Sequence, residues 1–333
     1  MKIWHSLVSG GPDTLQIVEC PDPIPGPKEL LVKVAACGIN FPDSLIIRDL
    51  YQIRPPRPFA PGAEIAGTVA ATGEGVTDFA VGDRVMARPG WGGLATHIVI
   101  PAHLCTPVPA SMPFDEAAAF FFTYLTAYHA LIQRARMGAG DRVLILGAAG
   151  GTGVAAIEIA KAVGAFVVAA VSSEEKADFA RKCGADAAIV YPRGRLDKEQ
   201  SKALVEAFKT ALGDHGADVV FDPVGGDYAE PALRSIAWKG RYLVVGFTAG
   251  IPSIPLNLPL LKGCEVVGVF NGGFLAREPE TAKANVRDLL KLYEAGKIRP
   301  HVKQRFSFEQ ANVAIEQIAA RGAIGKFVVE MNE

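Results

Sequence analysis

The stretch "ACGINFPDS", Ala36 to Ser44, sets a thiol, a carboxamide and a carboxylate within seven positions, at Cys37, Asn40 and Asp43. Side chains of these types can ligate a metal, carry a nucleophile, or only brace a turn. A second stretch, "RVLILGAAGGTGVAAIEIA", places Gly147, Gly150, Gly151 and Gly153 between an apolar run and a helical one. Glycine there permits a tight turn and lets backbone approach a pyrophosphate with no side chain between them. The helix that follows offers free N–H groups and the positive end of its dipole. The pattern reads as a dinucleotide loop built from Gly150, Gly151, Thr152, Gly153 and Val154.

The end of the next apolar run reports which dinucleotide is taken. An NAD-specific loop usually carries an acid there for the ribose hydroxyls. Here the place reads "AVSSEEK", with Ser172 and Ser173 first and Lys176 one helical turn on. Small hydroxyls and a cation suit a 2′-phosphate, which an aspartate would repel, so the residues favour NADPH. Ser172 also stands in capping-box spacing with Glu175, and Lys176 also fits an ordinary solvated lysine.

The elements that must position these residues differ between the two parts of the chain. Fifteen of the 23 prolines fall in residues 1–113, and only three in 114–250. Proline interrupts helices and central strands, so the first third is expected as short strands joined by turns. "ELLVKVAA", "EIAGTVAATG", "DRVMA" and "LATHIVI" are its strand candidates. From Phe114 the texture changes to longer blocks. "FDEAAAFFFTYLTAYHALIQRA" reads as a helix, and "RVLILG", "FVVAAV", "AAIVY", "ADVVFD" and "RYLVVGF" read as buried strands with helices between them. Such alternation gives an α/β fold with a doubly wound parallel sheet of Rossmann type. "CEVVGVF" and a long amphipathic helix from about Pro279 follow. A last helix and the strand "KFVVEM" then return to complete the first domain. The expected divisions are 1–122, 123–262 and 263–333, the third holding the last Rossmann strand and the return.

A net charge of −1 argues against a nucleic-acid partner. The five cysteines are scattered and never spaced C-x-x-C, against a disulfide scaffold or a cysteine-rich zinc site. No apolar run is long enough to span a membrane, and the N-terminus lacks a signal-peptide core, so a cytoplasmic protein is expected.

A strand-rich N-terminal part, a nucleotide part and a C-terminal return resemble the medium-chain dehydrogenases/reductases, and within them the zinc-independent quinone oxidoreductase branch. The matching stretches include "CGINFPD", "PFAPGAEIAG", "VGDRVMA", "GGLATHIVIPA", "TYLTAYHAL", "GAAGGTG", "ADVVFDPVGG" and "GRYLVVGFTAG". The resemblance implies a GroES-like catalytic domain beside the Rossmann domain, NADPH as cofactor, and a homodimer formed through the last Rossmann strand. It also implies no zinc. The cysteine ligand of the zinc enzymes falls at Asn40, and the histidine of their Gly-His-Glu motif falls at Ala63.

By the same resemblance Asn40 lies beside the nicotinamide ribose and the acceptor, and Tyr51 lies near the substrate cleft as the best proton donor of its segment. Thr126 contacts the nicotinamide end, Tyr191 packs near the adenosine phosphate, and Phe247 and Asn271 lie in loops over the nicotinamide. A further family tyrosine is replaced by Leu45. Each also has a plainer reading: Tyr51 as packing, Asn40 as a turn brace, and Asp43 as a turn residue or an ion-pair partner of Arg48 or Arg54. Cys37 is expected to pack as a small hydrophobe. The implied activity is hydride delivery to quinones, enones or alkenals. An acryloyl- or enoyl-thioester reductase, drawing an anionic substrate with Arg54 and Arg57, is one alternative, and a non-catalytic NADPH-binding protein is another.

Overall fold

The computed structural model describes residues 1–331, and the chain divides into two compact units. The first comprises residues 1–122 together with the chain from Pro300 onward; the second is Thr123–Arg299. The strand Glu265–Gly268 and the helices Asn271–Arg277 and Pro279–Glu294 therefore belong to the second unit, and the return begins at Pro300.

The first unit is built on Glu29–Ile39, whose alternating residues Leu30, Val32, Val34 and Ala36 are buried. Period-two alternation gives a strand with one buried face, and its last residues are buried throughout. The sheet runs Val302–Ser307, Lys326–Glu330, Glu29–Ile39, Glu64–Thr72, Arg84–Ala87 and Cys105–Pro107, with His97–Pro101 pairing further along Glu29–Ile39. Lys326–Glu330 is antiparallel to Glu29–Ile39, so the C-terminal return supplies a structural strand of this unit. Lys2–Ser6 and Leu15–Glu19 form a separate two-stranded ribbon.

The second unit is a six-stranded parallel sheet in the order Ala187–Val190, Phe166–Val171, Arg142–Leu146, Ala217–Asp222, Ile236–Val244, Glu265–Gly268. Three of its inner strands, Phe166–Val171, Arg142–Leu146 and Ala217–Asp222, carry no exposed side chain, as a sheet covered on both faces requires. The strand order reverses at Arg142–Leu146, the switch point where such sheets take their ligands.

The single helix expected from Phe114 is broken. A short helix, Phe114–Ala117, ends before Phe120, and wider π-type turns at Phe121–Leu125 and His129–Arg134 flank one α turn at Thr126–Tyr128. The break has a tertiary cause: the Phe122 N–H donates to Glu64 Oε2, 58 positions earlier, at 2.8 Å. Among the described residues no helix is long and apolar enough to cross a membrane.

Candidate active site

Strand register in the first unit brings four polar side chains into one row. Phe327 lies opposite Ile39, which puts Lys326 across from Asn40. Gly38 lies opposite Glu64 on the other side, and Ile65 opposite Ala87, so Arg88 follows at the level of Glu64. Residues two apart on a strand share a face, and so do registered neighbours.

The row is tightly bonded. Lys326 Nζ donates to Glu64 Oε1 at 2.6 Å, to Asn40 Oδ1 at 2.7 Å and to the Ile39 carbonyl at 3.3 Å. Asn40 Nδ2 donates to Glu64 Oε1 at 2.9 Å and to the Gly38 carbonyl at 3.3 Å. Asn40, Glu64 and Lys326 are 5%, 1% and 4% exposed. Both amide hydrogens of Asn40 are thus engaged within the unit, and Oδ1 retains one lone pair for a ligand hydroxyl.

Asp43 holds the turn that aims Asn40. Its Oδ2 accepts the Asn40 N–H at 2.7 Å and its Oδ1 the Gly62 N–H at 2.9 Å. Burial pushes its carboxyl up to about 6, against the pull of those two amides and of Lys326. The ion pair with Arg48 or Arg54 that the sequence suggested is not made: Arg48 donates to the Ser44 carbonyl. Arg57 pairs with Asp49 at 2.9 Å and donates to the Ile47 carbonyl, so it is committed to its own loop and not to an anionic substrate. Cys37 is fully buried in the core, and burial raises its thiol well above the usual range. It packs as expected.

Tyr51 is half-buried against the core of this unit. Burial raises its hydroxyl pKa, the Arg88 charge opposes the rise, and Asp43 adds to it. The group is therefore protonated at neutral pH and can donate.

The donor set does not fit a zinc ion. Ala63 offers no lone pair, and the Lys326 ammonium fills the gap between Asn40 Oδ1 and Glu64 Oε1. Among the described residues no three His, Cys, Asp or Glu side chains gather as a ligand set.

In the second unit Gly147 turns the chain out of its strand with φ +60°. The helix Gly151–Val163 starts after Gly150 with no capping side chain, leaving its first N–H groups to a ligand. A Cβ on Gly153 would lie 2.4 Å from the Gly147 carbonyl and 2.6 Å from Ala148 Cα, so helix and loop need glycine there to pack. A Cβ on Gly150 would meet nothing nearer than 3.5 Å. That open face suits a pyrophosphate.

Ser173, not Ser172, caps the next helix, Glu174–Lys182: its Oγ accepts the Lys176 N–H at 3.3 Å. The Ser172 hydroxyl is left to face Lys176 Nζ at 3.5 Å. Lys176 is buried rather than solvated. Burial lowers its pKa, the charge of Arg193 lowers it further, and Glu175 opposes them. A cation and a hydroxyl thus meet at the strand end, where the charge of the exposed Arg193 is also felt. Tyr191 is buried against Tyr228 at a ring separation of 4.6 Å, with the Gly147 backbone acting on its hydroxyl.

Thr126 and Asn271, 145 residues apart, are brought together by an Asn271 Nδ2 to Thr126 Oγ1 bond of 2.9 Å. Asn271 Oδ1 is buried with no hydrogen-bond partner among the described residues, an acceptor suited to a ligand carboxamide. Phe247, in the loop after Ile236–Val244, is exposed.

Sequence reasoning missed Glu64, Lys326, Arg88 and Arg193. Glu64 did carry a signal, an acid inside the apolar run "PFAPGAEIAG". Lys326 carried none, since its partners lie 262 and 286 positions away.

Fold and site together define a medium-chain dehydrogenase/reductase. Residues 26–110 match the alcohol dehydrogenase GroES-like domain, and 151–291 the zinc-binding dehydrogenase family. The quinone oxidoreductase-like protein 2 of Bos taurus is 37% identical over 92% of this chain and 86% of its own. The quinone oxidoreductase of Pseudomonas aeruginosa is 34% identical over 96% of both. The crystal structure of the Escherichia coli quinone oxidoreductase complexed with NADPH superposes with a TM-score of 0.89 at 30% identity, covering 99% of this chain and all of that one. The chain belongs to the quinone oxidoreductase branch of this superfamily and is an oxidoreductase.

Proposed function

We propose that the chain is an NADPH-dependent, metal-free reductase of conjugated carbonyl compounds, quinones or enones and alkenals. The observation that carries the reading is the Lys326 ammonium standing between Asn40 Oδ1 and Glu64 Oε1. With that space taken by a cation and not by a Lewis acid, the acceptor must delocalise its own developing charge, and conjugated carbonyls do so. NADPH, when bound, supplies the hydride. Gly150 to Val154 hold its pyrophosphate, Ser172, Lys176 and Arg193 its 2′-phosphate, and the paired Thr126 and Asn271 its carboxamide. Tyr191 backs the loop and Phe247 covers it. Asn40 Oδ1 takes a ribose hydroxyl, and Tyr51 offers a proton donor to the acceptor. Its relative from Escherichia coli, in complex with NADPH, supports the cofactor choice.

The test is NADPH oxidation against quinones, enones, alkenals and enoyl thioesters, with and without a chelator. Turnover of the conjugated carbonyls that survives chelation is expected. Loss of activity on chelation, or tight NADPH binding with no acceptor reduced, overturns the reading, and the second outcome marks a non-catalytic NADPH-binding protein. A preference for enoyl thioesters marks the alternative reductase, which the commitment of Arg57 to Asp49 disfavours.

The chain forms a homodimer in this reading. Glu265–Gly268 is the outermost strand of its sheet, and Val266, Phe270 and Trp238 are exposed around it. Such an edge pairs readily with its twin across a two-fold axis. A monomer mass that does not change with concentration in sedimentation refutes it.

A further inference from the structure

Arg88 takes no part in the proposed cofactor and acceptor contacts. It follows the strand Arg84–Ala87 and stands at the level of Glu64 in the row of strand ends. Its guanidinium lies over the Phe122 ring, 4.7 Å from the centroid. Nη1 is buried and has no hydrogen-bond partner among the described residues.

Buried guanidinium N–H groups are nearly always bonded, because leaving one unmade costs its full desolvation. The nearest carboxylate does not serve it. The bonds Glu64 accepts come from Lys326 and Asn40 at Oε1 and from the Phe122 N–H at Oε2, none of them from Arg88. Lys326 and Glu64 pair with each other, and Arg88 Nη1 is the row's donor without a partner among the described residues. By register Arg88 stands beside Glu64, which is bonded to Asn40, and its charge is felt at Tyr51. Stacking on Phe122 fixes the plane of the fork, and a fixed donor costs little reorganisation when charge develops before it.

We propose that Arg88 is a catalytic residue whose Nη1–H binds the carbonyl oxygen of the acceptor and stabilises the oxyanion formed on reduction. For an enone, hydride from the reduced cofactor bonds to the β-carbon and the cofactor is oxidised. The carbon–carbon π pair becomes the new bond between the α-carbon and the carbonyl carbon. The carbonyl π pair moves to oxygen as an enolate held by Arg88. Solvent or the Tyr51 hydroxyl then protonates the α-carbon, and the carbonyl re-forms. The inference rests on the reductase reading for its substrate class, but its test does not need turnover.

That test is titration of 4-nitrophenol, whose phenolate is a stable mimic of a conjugated oxyanion, into the protein held with NADP⁺ and followed by absorbance. Bound to the wild-type protein, the phenol ionises at a lower pH than free in solution. In Arg88→Gln this lowering disappears and phenolate affinity falls by about 10- to 100-fold, the weight of one charge-assisted hydrogen bond. With a reducible enone, kcat/KM falls by about 10²- to 10³-fold, as for loss of one oxyanion donor. NADPH affinity and the melting curve report that the fold is intact. Arg88→Lys keeps the charge without the planar fork. Should Arg88→Gln not fold, weaker phenolate binding in Arg88→Lys supports the role and unchanged binding overturns it. No lowering in the wild type, or a lowering that persists in Arg88→Gln, also overturns it. If the wild type reduces no acceptor yet binds phenolate through Arg88, the reductase reading fails and the anion site stands.

Discussion

Replacing Lys326 by methionine isolates the electrostatics of the strand-end row, since methionine keeps most of the length and removes the ammonium. The wild-type ammonium makes three bonds of 2.6, 2.7 and 3.3 Å in a site 4% exposed. Breaking a buried ion pair from one side costs roughly 3–5 kcal/mol, chiefly because the remaining charge is stranded. Here Glu64 keeps two other donors, Asn40 Nδ2 and the Phe122 N–H, at 2.9 and 2.8 Å. That places the expected loss at the lower end, about 3 kcal/mol. Glu64→Gln added to Lys326→Met removes the stranded charge and should recover about 2 kcal/mol of it, a coupling that a double-mutant cycle reads directly. Urea unfolding followed by tryptophan fluorescence suits the purpose. Trp4 is buried in the same unit, with its indole N–H bonded to the Phe308 carbonyl at 2.8 Å, whereas Trp238 of the second unit is exposed. A loss below 1 kcal/mol for the single variant, or additivity in the cycle, refutes the argument that these charges hold one another.

Three further outcomes follow from the same geometry. Gly150→Ala should fold normally, because its Cβ has 3.5 Å of room and its φ is −78°, yet bind NADPH at least about tenfold more weakly; Gly153→Ala, whose Cβ would meet backbone at 2.4 Å, should instead lower the melting temperature. Calorimetry and fluorescence titration separate the two. Lys176→Ala and Arg193→Ala should each raise the NADPH Michaelis constant by about tenfold and leave that for NADH almost unchanged; an unaltered cofactor preference removes the 2′-phosphate assignment. For Asp43 the folded pKa, about 6, lies above its ordinary 3.8. The stability this contributes is fully present below pH 3.8 and is lost as pH rises to about 6, some 2.2 units or about 3 kcal/mol. Urea midpoints between pH 4 and 6.5 should therefore fall for wild type more steeply than for Asp43→Asn, and equal slopes would exclude Asp43 as the source.

How far the sequence discloses this molecule depends on the distance over which each decision is made. The Rossmann sheet is written locally: every buried strand from Arg142 to Val244 announces itself as an apolar run, and Gly153 meets a demand set by the backbone of Gly147 and Ala148 a few residues away. The capping of the helix at Glu174 is equally local, yet a one-residue shift from Ser172 to Ser173 decides whether the Ser172 hydroxyl is spent on the helix or left facing Lys176. Pattern alone does not resolve such a shift. The break after Ala117 is not local. "FDEAAAFFFTYLTAYHAL" is good helical sequence, and what opposes it is Glu64, 58 positions earlier, drawing off the Phe122 N–H.

The row of Lys326, Asn40, Glu64 and Arg88 lies furthest from what sequence can show. Each residue opens or follows a different strand, and only the register of Ile39 against Phe327, Gly38 against Glu64 and Ile65 against Ala87 sets them side by side. Read singly, Lys326 is a lysine opening a strand and Arg88 an arginine in a proline–glycine loop, and both default to the surface. Read together, three of the four neutralise and satisfy one another, and the fourth is left with a buried donor and no partner. Asn40 is therefore better understood as a member of a rigid floor than as an isolated catalytic amide: its hydrogens are held inside, and the unpartnered donor of the row is Arg88 Nη1. That division of labour, a closed network fixing one open cation, is what a site needs if it is to meet charge that appears only as the reaction proceeds.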